Sequence, residues 1–230
     1  RKKREYEERK RRVRDKEKII TRKKEAEEEV KPSSEIINKE VVHELNEKYK
    51  KEFPDGTPIV CACEYGRFED VKVLITGHND VNGSNGNNNN NMTLKEYVNQ
   101  VGEDSGGYEK TPLMAAAKYE HFQIVKYLIE QCEADPNIAD SDGWNALHMA
   151  ADNNKKDTGV IELLLTNMSL NSINKKTSRD GWTPLDRAYK YNKSAIKQKI
   201  IDLIRSKGGK ANHFDENGRN VGKGNGDLNH

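Results

Sequence analysis

The sequence predicts an all-α solenoid of stacked helix-turn-helix units with short hairpin loops, preceded by a long charged helix. Three observations carry that prediction. Four segments of the 230-residue chain read alike: Thr57-Pro58-Ile59-Val60-Cys61-Ala62-Cys63, Thr111-Pro112-Leu113-Met114-Ala115-Ala116-Ala117, Asn145-Ala146-Leu147-His148-Met149-Ala150-Ala151 and Thr183-Pro184-Leu185-Asp186-Arg187-Ala188-Tyr189. Each is followed by an apolar helical stretch, at Val71–Ile75, Ile124–Ile129, Val160–Leu165 and Ile200–Ile204. Asp-Gly stands before the first, third and fourth, at Asp55-Gly56, Asp142-Gly143 and Asp180-Gly181, whereas Thr111 follows Glu109-Lys110. A turn signal, a short helix and an apolar helix recurring in order describe one unit used several times.

Residues 1–32 form a charged basic extension. The first 24 residues hold 14 basic and 5 acidic side chains in a chain of net charge +2, so the remainder is acidic. With no Gly or Pro before Pro32, and with Glu5–Arg9, Glu7–Arg11 and Glu8–Arg12 at favourable i,i+4 spacing, a long solvated helix is expected. Tyr6, Val13 and Ile20 recur every seven residues, but Lys10 and Glu17 occupy the companion positions. That makes at most half a coiled-coil seam.

Lys31-Pro32-Ser33-Ser34 breaks the helix and offers an N-cap at Ser33 or Ser34. Ile37, Val41, Val42, Leu45 and Tyr49 then mark an amphipathic capping helix within 33–54, closed by Pro54-Asp55-Gly56.

Inside each repeat, Asp-Gly permits the positive φ of a tight turn. Thr before Pro caps a helix whose first position tolerates the missing N–H. Small pairs such as Ala116-Ala117 and Ala150-Ala151 let helices approach closely, while the second helix supplies Ile, Val and Leu at roughly 1.5–3 kcal/mol each on full burial. No unit could cover its own apolar face alone, so the units must stack.

This pattern resembles the ankyrin repeat over residues 55–209, with repeat starts near 55, 109, 142 and 180. The closest matches to that signature are Thr111–Ala117 and Asp142–Ala151, and Ala134–Asp140 resembles the hairpin leading into the next unit. The starts at Thr57, Thr111, Asn145 and Thr183 lie 54, 34 and 38 residues apart, against about 33 for the family. An Asn-rich insertion over 79–108 accounts for the first gap. It contains the run Asn87–Asn91, read as a loop expansion, and the helix-like stretch Thr93–Val101. Longer turns, at Asn153–Thr158 and Tyr191–Ser194, lengthen the third and fourth units. Lys210–Gly218 looks like the start of a further hairpin, and 210–230 is expected to be a flexible tail, mobile beyond Gly218.

Candidate chemistry is sparse. Cys61 and Cys63 occupy repeat positions that elsewhere hold Ala115 and Ala117, and residues two apart on a helix diverge, so packing is favoured over a metal or redox pair. His148 sits at a position where the resemblance implies hydrogen bonding to the backbone of the neighbouring hairpin, and His121 matches a common position in the helix-to-helix turn. Neither metal-ligand spacing nor a phosphate-binding glycine loop nor a nucleophile elbow is evident. The expectation is a non-enzymatic protein with no catalytic residue, cofactor or metal.

The resemblance implies a protein-binding scaffold whose concave face joins hairpin tips to first helices. Carried over by position, that face includes Met114, Ala115, Lys118, Trp144, Met149, Asp152, Trp182, Arg187 and Lys190. Trp144 and Trp182 fit either partner binding or packing over the adjacent hairpin. The alternative is nucleic-acid contact through residues 1–31, with self-association through the same segment a third idea. Interspersed Glu residues argue against membrane insertion there. Three cysteines and no visible secretory signal suit a reducing compartment, cytoplasmic or nuclear.

Overall fold

The structure, a computed structural model, describes residues 39–84 and 92–221. The charged extension, the Ser33/Ser34 cap, the run Asn87–Asn91 and residues 222–230 lie outside the described residues. Eleven helices and one two-stranded hairpin make up the described chain. They are α1 (Lys39–Glu52), α2 (Pro58–Glu64), α3 (Phe68–Ser84), α4 (Leu94–Asn99), β1 (Gly102–Glu103), β2 (Glu109–Lys110), α5 (Pro112–Lys118), α6 (Phe122–Gln131), α7 (Ala146–Asn153), α8 (Gly159–Asn167), α9 (Leu170–Ile173), α10 (Pro184–Lys190) and α11 (Lys197–Ser206).

Helices α2, α5, α7 and α10 are the short inner helices, and each packs on the next in sequence order. Their starts are fixed by the side chains the repeat pattern singles out. Thr111, Asn145 and Thr183 accept hydrogen bonds from the backbone N–H groups of Met114, His148 and Asp186, satisfying donors that a helix start leaves orphaned. Thr57 differs, because its hydroxyl accepts instead from Glu103 N at 3.0 Å, tying the first unit to the next hairpin. The alanines do what their size allows: Ala115, Ala116, Ala117, Ala150 and Ala151 are all fully buried between neighbouring helices.

Outer helices α3, α6, α8 and α11 lie behind and contact one another in turn. Val71, Leu74, Ile124, Val125, Leu128, Ile161, Leu164, Ile200 and Ile204 fill the layer between inner and outer helices. Helix α1 covers the first unit. Its Tyr49 is fully buried, with the hydroxyl donating to Asp70 Oδ2 at 2.9 Å, and Glu52 takes a bidentate pair of hydrogen bonds from Arg67.

The hairpins follow one design. In the second unit Asp104 N donates to Tyr108 O, in the third Asp140 N to Trp144 O, and after the fourth Asp215 N to Arg219 O. Each aspartate also accepts on Oδ1 from the backbone N–H groups two and four residues on. The turn glycines Gly107, Gly143 and Gly218 sit at φ +75°, +84° and +74°, where a Cβ would be strained. Thr177 and Gly181 build the fourth hairpin with one more residue.

Two expected boundaries move. The insertion expected over 79–108 is narrower, because α3 continues to Ser84 and Gly102–Lys110 is already the second unit's hairpin, paired Gly102 to Lys110 and Glu103 to Glu109. That unit therefore begins before residue 109. The tail expected to be flexible over 210–230 is ordered through Val221: the hairpin start expected at Lys210–Gly218 is closed by the Phe214–Asn220 bridge, and the Trp182–His213 ring pair holds it against the fourth unit. Gly56, expected to supply a left-handed turn, does not adopt positive φ. Its place is dictated by contact, since a Cβ there would lie 2.4 Å from Cys61 Sγ.

Candidate functional site

Hairpin tips and inner helices share one face of the stack. Between the second and third hairpins this face opens into a groove of about 500 Å³. Tyr108, Glu109, Asp140, Ser141 and Asp142 line its rim, and Lys118, Trp144, Met149, Asp152 and Asn153 its floor and end. The shortness of α5 and α7 brings Lys118 and Asp152 close to the ends of their helices.

Four of the nine residues expected from sequence, Lys118, Trp144, Met149 and Asp152, come together at this groove. Beyond it, Arg187 lies across the aromatic side chains. Its guanidinium carbon is 4.5 Å from the Trp144 ring centroid, 3.7 Å from Tyr191 and 6.0 Å from Trp182, and its Nη2 donates to Asp152 Oδ2 at 2.5 Å. Trp182 in turn stacks on His213, with centroids 4.6 Å apart and planes at 17°. Both tryptophans are half-buried, so each has a packing role. Lys190 is exposed at the end of α10.

Three expected contacts are corrected. Met114 and Ala115 are 1% and 0% exposed and lie inside the helix stack, where no partner reaches them. They occupy the fourth and fifth positions from the cap, and the close approach of α5 to α2 and α7 closes that face. Arg187 is likewise turned onto its own chain, since the half-buried Asp152 and the aromatic rings hold the guanidinium.

Tyr108 is the residue that sequence reasoning missed. It holds the hairpin position of Trp144 and Trp182, yet 69% of it is exposed. The spelling Asp104-x-x-Gly107-Tyr108, matching Asp140-x-x-Gly143-Trp144, could have found it. Counting back from Thr111 did not, because this hairpin is two residues longer.

Electrostatics divide the groove. Lys110 is buried in an ion pair with Asp104. Asp104 keeps its carboxyl below the usual range despite burial, because Lys110 and the N–H groups of Tyr108 and Gly106 all donate to it. Asp140 moves the other way: burial pushes its carboxyl up, and the nearby charges of Asp142 and Glu109 add to the shift.

His148 and His121 hold neighbouring units together. His148 is fully buried, with Nε2 3.1 Å from Trp182 O and Nδ1 within hydrogen-bond distance of Asn145 N and Oδ1. Burial lowers its pKa to about 4. His121 reaches back to Glu64 O at 2.9 Å. The three cysteines are buried free thiols, and burial raises Cys61 to about 12 and Cys132 to about 11, far from a reactive thiolate. Among the described residues no group of three or more His, Cys, Asp or Glu side chains is placed to hold a metal ion. None of the described helices is long and apolar enough to cross a membrane.

A family model described as ankyrin repeats in three copies matches residues 33–140, 86–172 and 113–215 in overlapping placements, well over half of the chain. The chain belongs to the ankyrin-repeat family. Ankyrin repeats mark a protein-interaction domain and are generally non-enzymatic. Residues of this chain are also similar to palmitoyltransferase AKR1 of Lachancea kluyveri, at 31% identity over 105 residues. That match covers 39% of this chain and spans 14% of the length of the Lachancea kluyveri protein.

Proposed function

We propose that the chain is a non-enzymatic scaffold that binds a partner protein on the concave face of its ankyrin repeats, with Tyr108, Lys118, Trp144 and Met149 as its main contacts. The groove carries this reading. It presents aromatic and aliphatic side chains beside charges that make no ion pair among the described residues, the mixture in which interface hot spots arise. Trp182, Arg187 and Asp152 extend the surface mainly by holding Trp144 in place, and Lys190 lies at its far edge.

A photo-crosslinking amino acid at Tyr108 tests this in native extract, with Lys126 on the outer helix α6 as the control position. A defined protein captured from Tyr108 and not from Lys126 is the expected result. Equal capture from both would sink the concave-face reading. The nucleic-acid alternative rests on the basic residues 1–31. It predicts salt-labile capture of nucleic acid that disappears when those residues are deleted, with protein capture unaffected.

A further inference from the structure

We propose that the groove between the second and third hairpins docks an extended segment of the partner through an arginine side chain. This deepens the concave-face reading and rests on it. Two ion pairs remove charges from the account: Lys110 is neutralised by Asp104, and Asp152 by Arg187. What remains along the lining is three carboxylates, Glu109, Asp140 and Asp142, against the single ammonium of Lys118. Burial is the main cause of the raised pKa of Asp140, and the charges of Asp142 and Glu109 add a repulsion that an incoming cation relieves.

The repeat symmetry supplies an occupied example of a related site. One unit further along, the chain's own Arg187 lies on the Trp144 ring with its guanidinium bonded to a carboxylate. Arg187 is the fifth residue of its unit counted from the cap Thr183, and Met149 is the fifth counted from Asn145. The groove therefore has Met149 where the next unit has a guanidinium. It has an exposed Tyr108 where the next unit has a covered Trp144. At the position of Asp152, eighth from its cap, the groove has Lys118, so the carboxylates offered to a guanidinium are those of the hairpins, Glu109 and Asp142. A planar guanidinium can stack on the rings and bond a carboxylate at once, which an ammonium does less well.

The test selects random twelve-residue peptides on the immobilised full chain and resynthesises the enriched sequence with each arginine replaced by citrulline, its neutral isostere. Expected is an arginine-bearing consensus whose affinity falls about tenfold or more with citrulline, or about 1.4 kcal/mol. A similar fall is expected for the Glu109→Gln/Asp142→Asn variant, whose substitutions lie at exposed positions. Asp140→Asn is a second variant, checked by thermal melting because Oδ1 also closes the turn. A consensus without arginine, indifference to citrulline, indifference to both variants, or no enrichment would each overturn the arginine assignment. Peptides that lack arginine yet block crosslinking from Tyr108 would overturn it while leaving the concave-face reading standing. Binders indifferent to Tyr108→Ala and Lys118→Glu would overturn both.

Discussion

Arg187 on α10 reaches back 35 positions to bond Asp152 on α7, its Nη2 lying 2.5 Å from Oδ2. The pair is largely enclosed, with side chains 13% and 18% exposed, and Trp144 and Tyr191 flank the guanidinium. Removing one partner leaves a half-buried charge behind. Arg187→Ala is expected to cost about 2–3 kcal/mol in urea melts, below the full range for a completely buried pair because some solvent reaches it. Arg187→Lys should recover less than half, since an ammonium cannot stack between the rings. Full recovery by lysine would mean that charge alone matters here.

His148 sets a pH dependence in a defined window. Its pKa is lowered to about 4, below the roughly 6.5 of an unfolded histidine. The unfolded chain therefore binds the proton first as pH falls. Stability from this group is complete above about 6.5 and declines progressively as pH falls to 4, by up to about 3 kcal/mol. Thermal melts from pH 7 to 4 should show that slope in the native chain and a shallower one in His148→Gln, which is less stable at pH 7.

Asp104 contributes in a more acid window. Its folded-state pKa is lowered, so its contribution is present above the unfolded value of about 3.9 and is lost as pH falls through the folded value. Asp104→Asn leaves Lys110 buried without its counter-charge and is expected to destabilise by about 3 kcal/mol at neutral pH. The joint change Asp104→Asn/Lys110→Met should be milder than the single one. If the single and double variants melt alike, the ion pair is not what holds this hairpin.

Glu120 sits at φ +61°, a conformation glycine adopts at Gly66 in the first unit. Its carboxylate is held there by the N–H groups of Lys155 and Lys156, at 2.5 and 2.8 Å. Glu120→Ala keeps the strain and loses the bonds, whereas Glu120→Gly relieves about 1 kcal/mol of strain. The glycine variant should therefore melt higher than the alanine variant. Amide exchange at Lys155 and Lys156 should quicken in both.

The inner helices and their order were legible because each carries its own start signal, a Thr or Asn cap before a short apolar run. The outer helices were legible from their Ile, Val and Leu. Two boundaries escaped. At Gly102–Lys110 the turn is built by Asp104 and Gly107, two residues further upstream of the Thr-Pro landmark than in the third unit, so Tyr108 went unrecognised. At Lys210–Gly218 the start of a hairpin was legible, but the low apolar content suggested a flexible tail rather than an ordered one. Order there comes instead from backbone bonds of Asn212 and His213 to the buried Asp186 and from the His213 ring on Trp182. Long-range pairing of that kind leaves no local pattern. The inward turn of Arg187 was hidden for the same reason: exposed charge is the ordinary expectation for an arginine on a short helix, and only the third dimension brings Asp152 beneath it.

The bridges between units join immediate neighbours only. Asn99 bonds Glu133 O and Asp135 N, Asn174 bonds Gly208 O and Lys210 N, and His121 and His148 each reach a single adjacent unit. A tension applied at the two ends would load these links in series, so the stack should yield as a chain of catches rather than as one block. With 34 residues from Thr111 to Asn145, each release would pay out roughly 110–120 Å of extended polypeptide. The molecule would thus lengthen in steps under load, surrendering its groove only when the second or third catch opens.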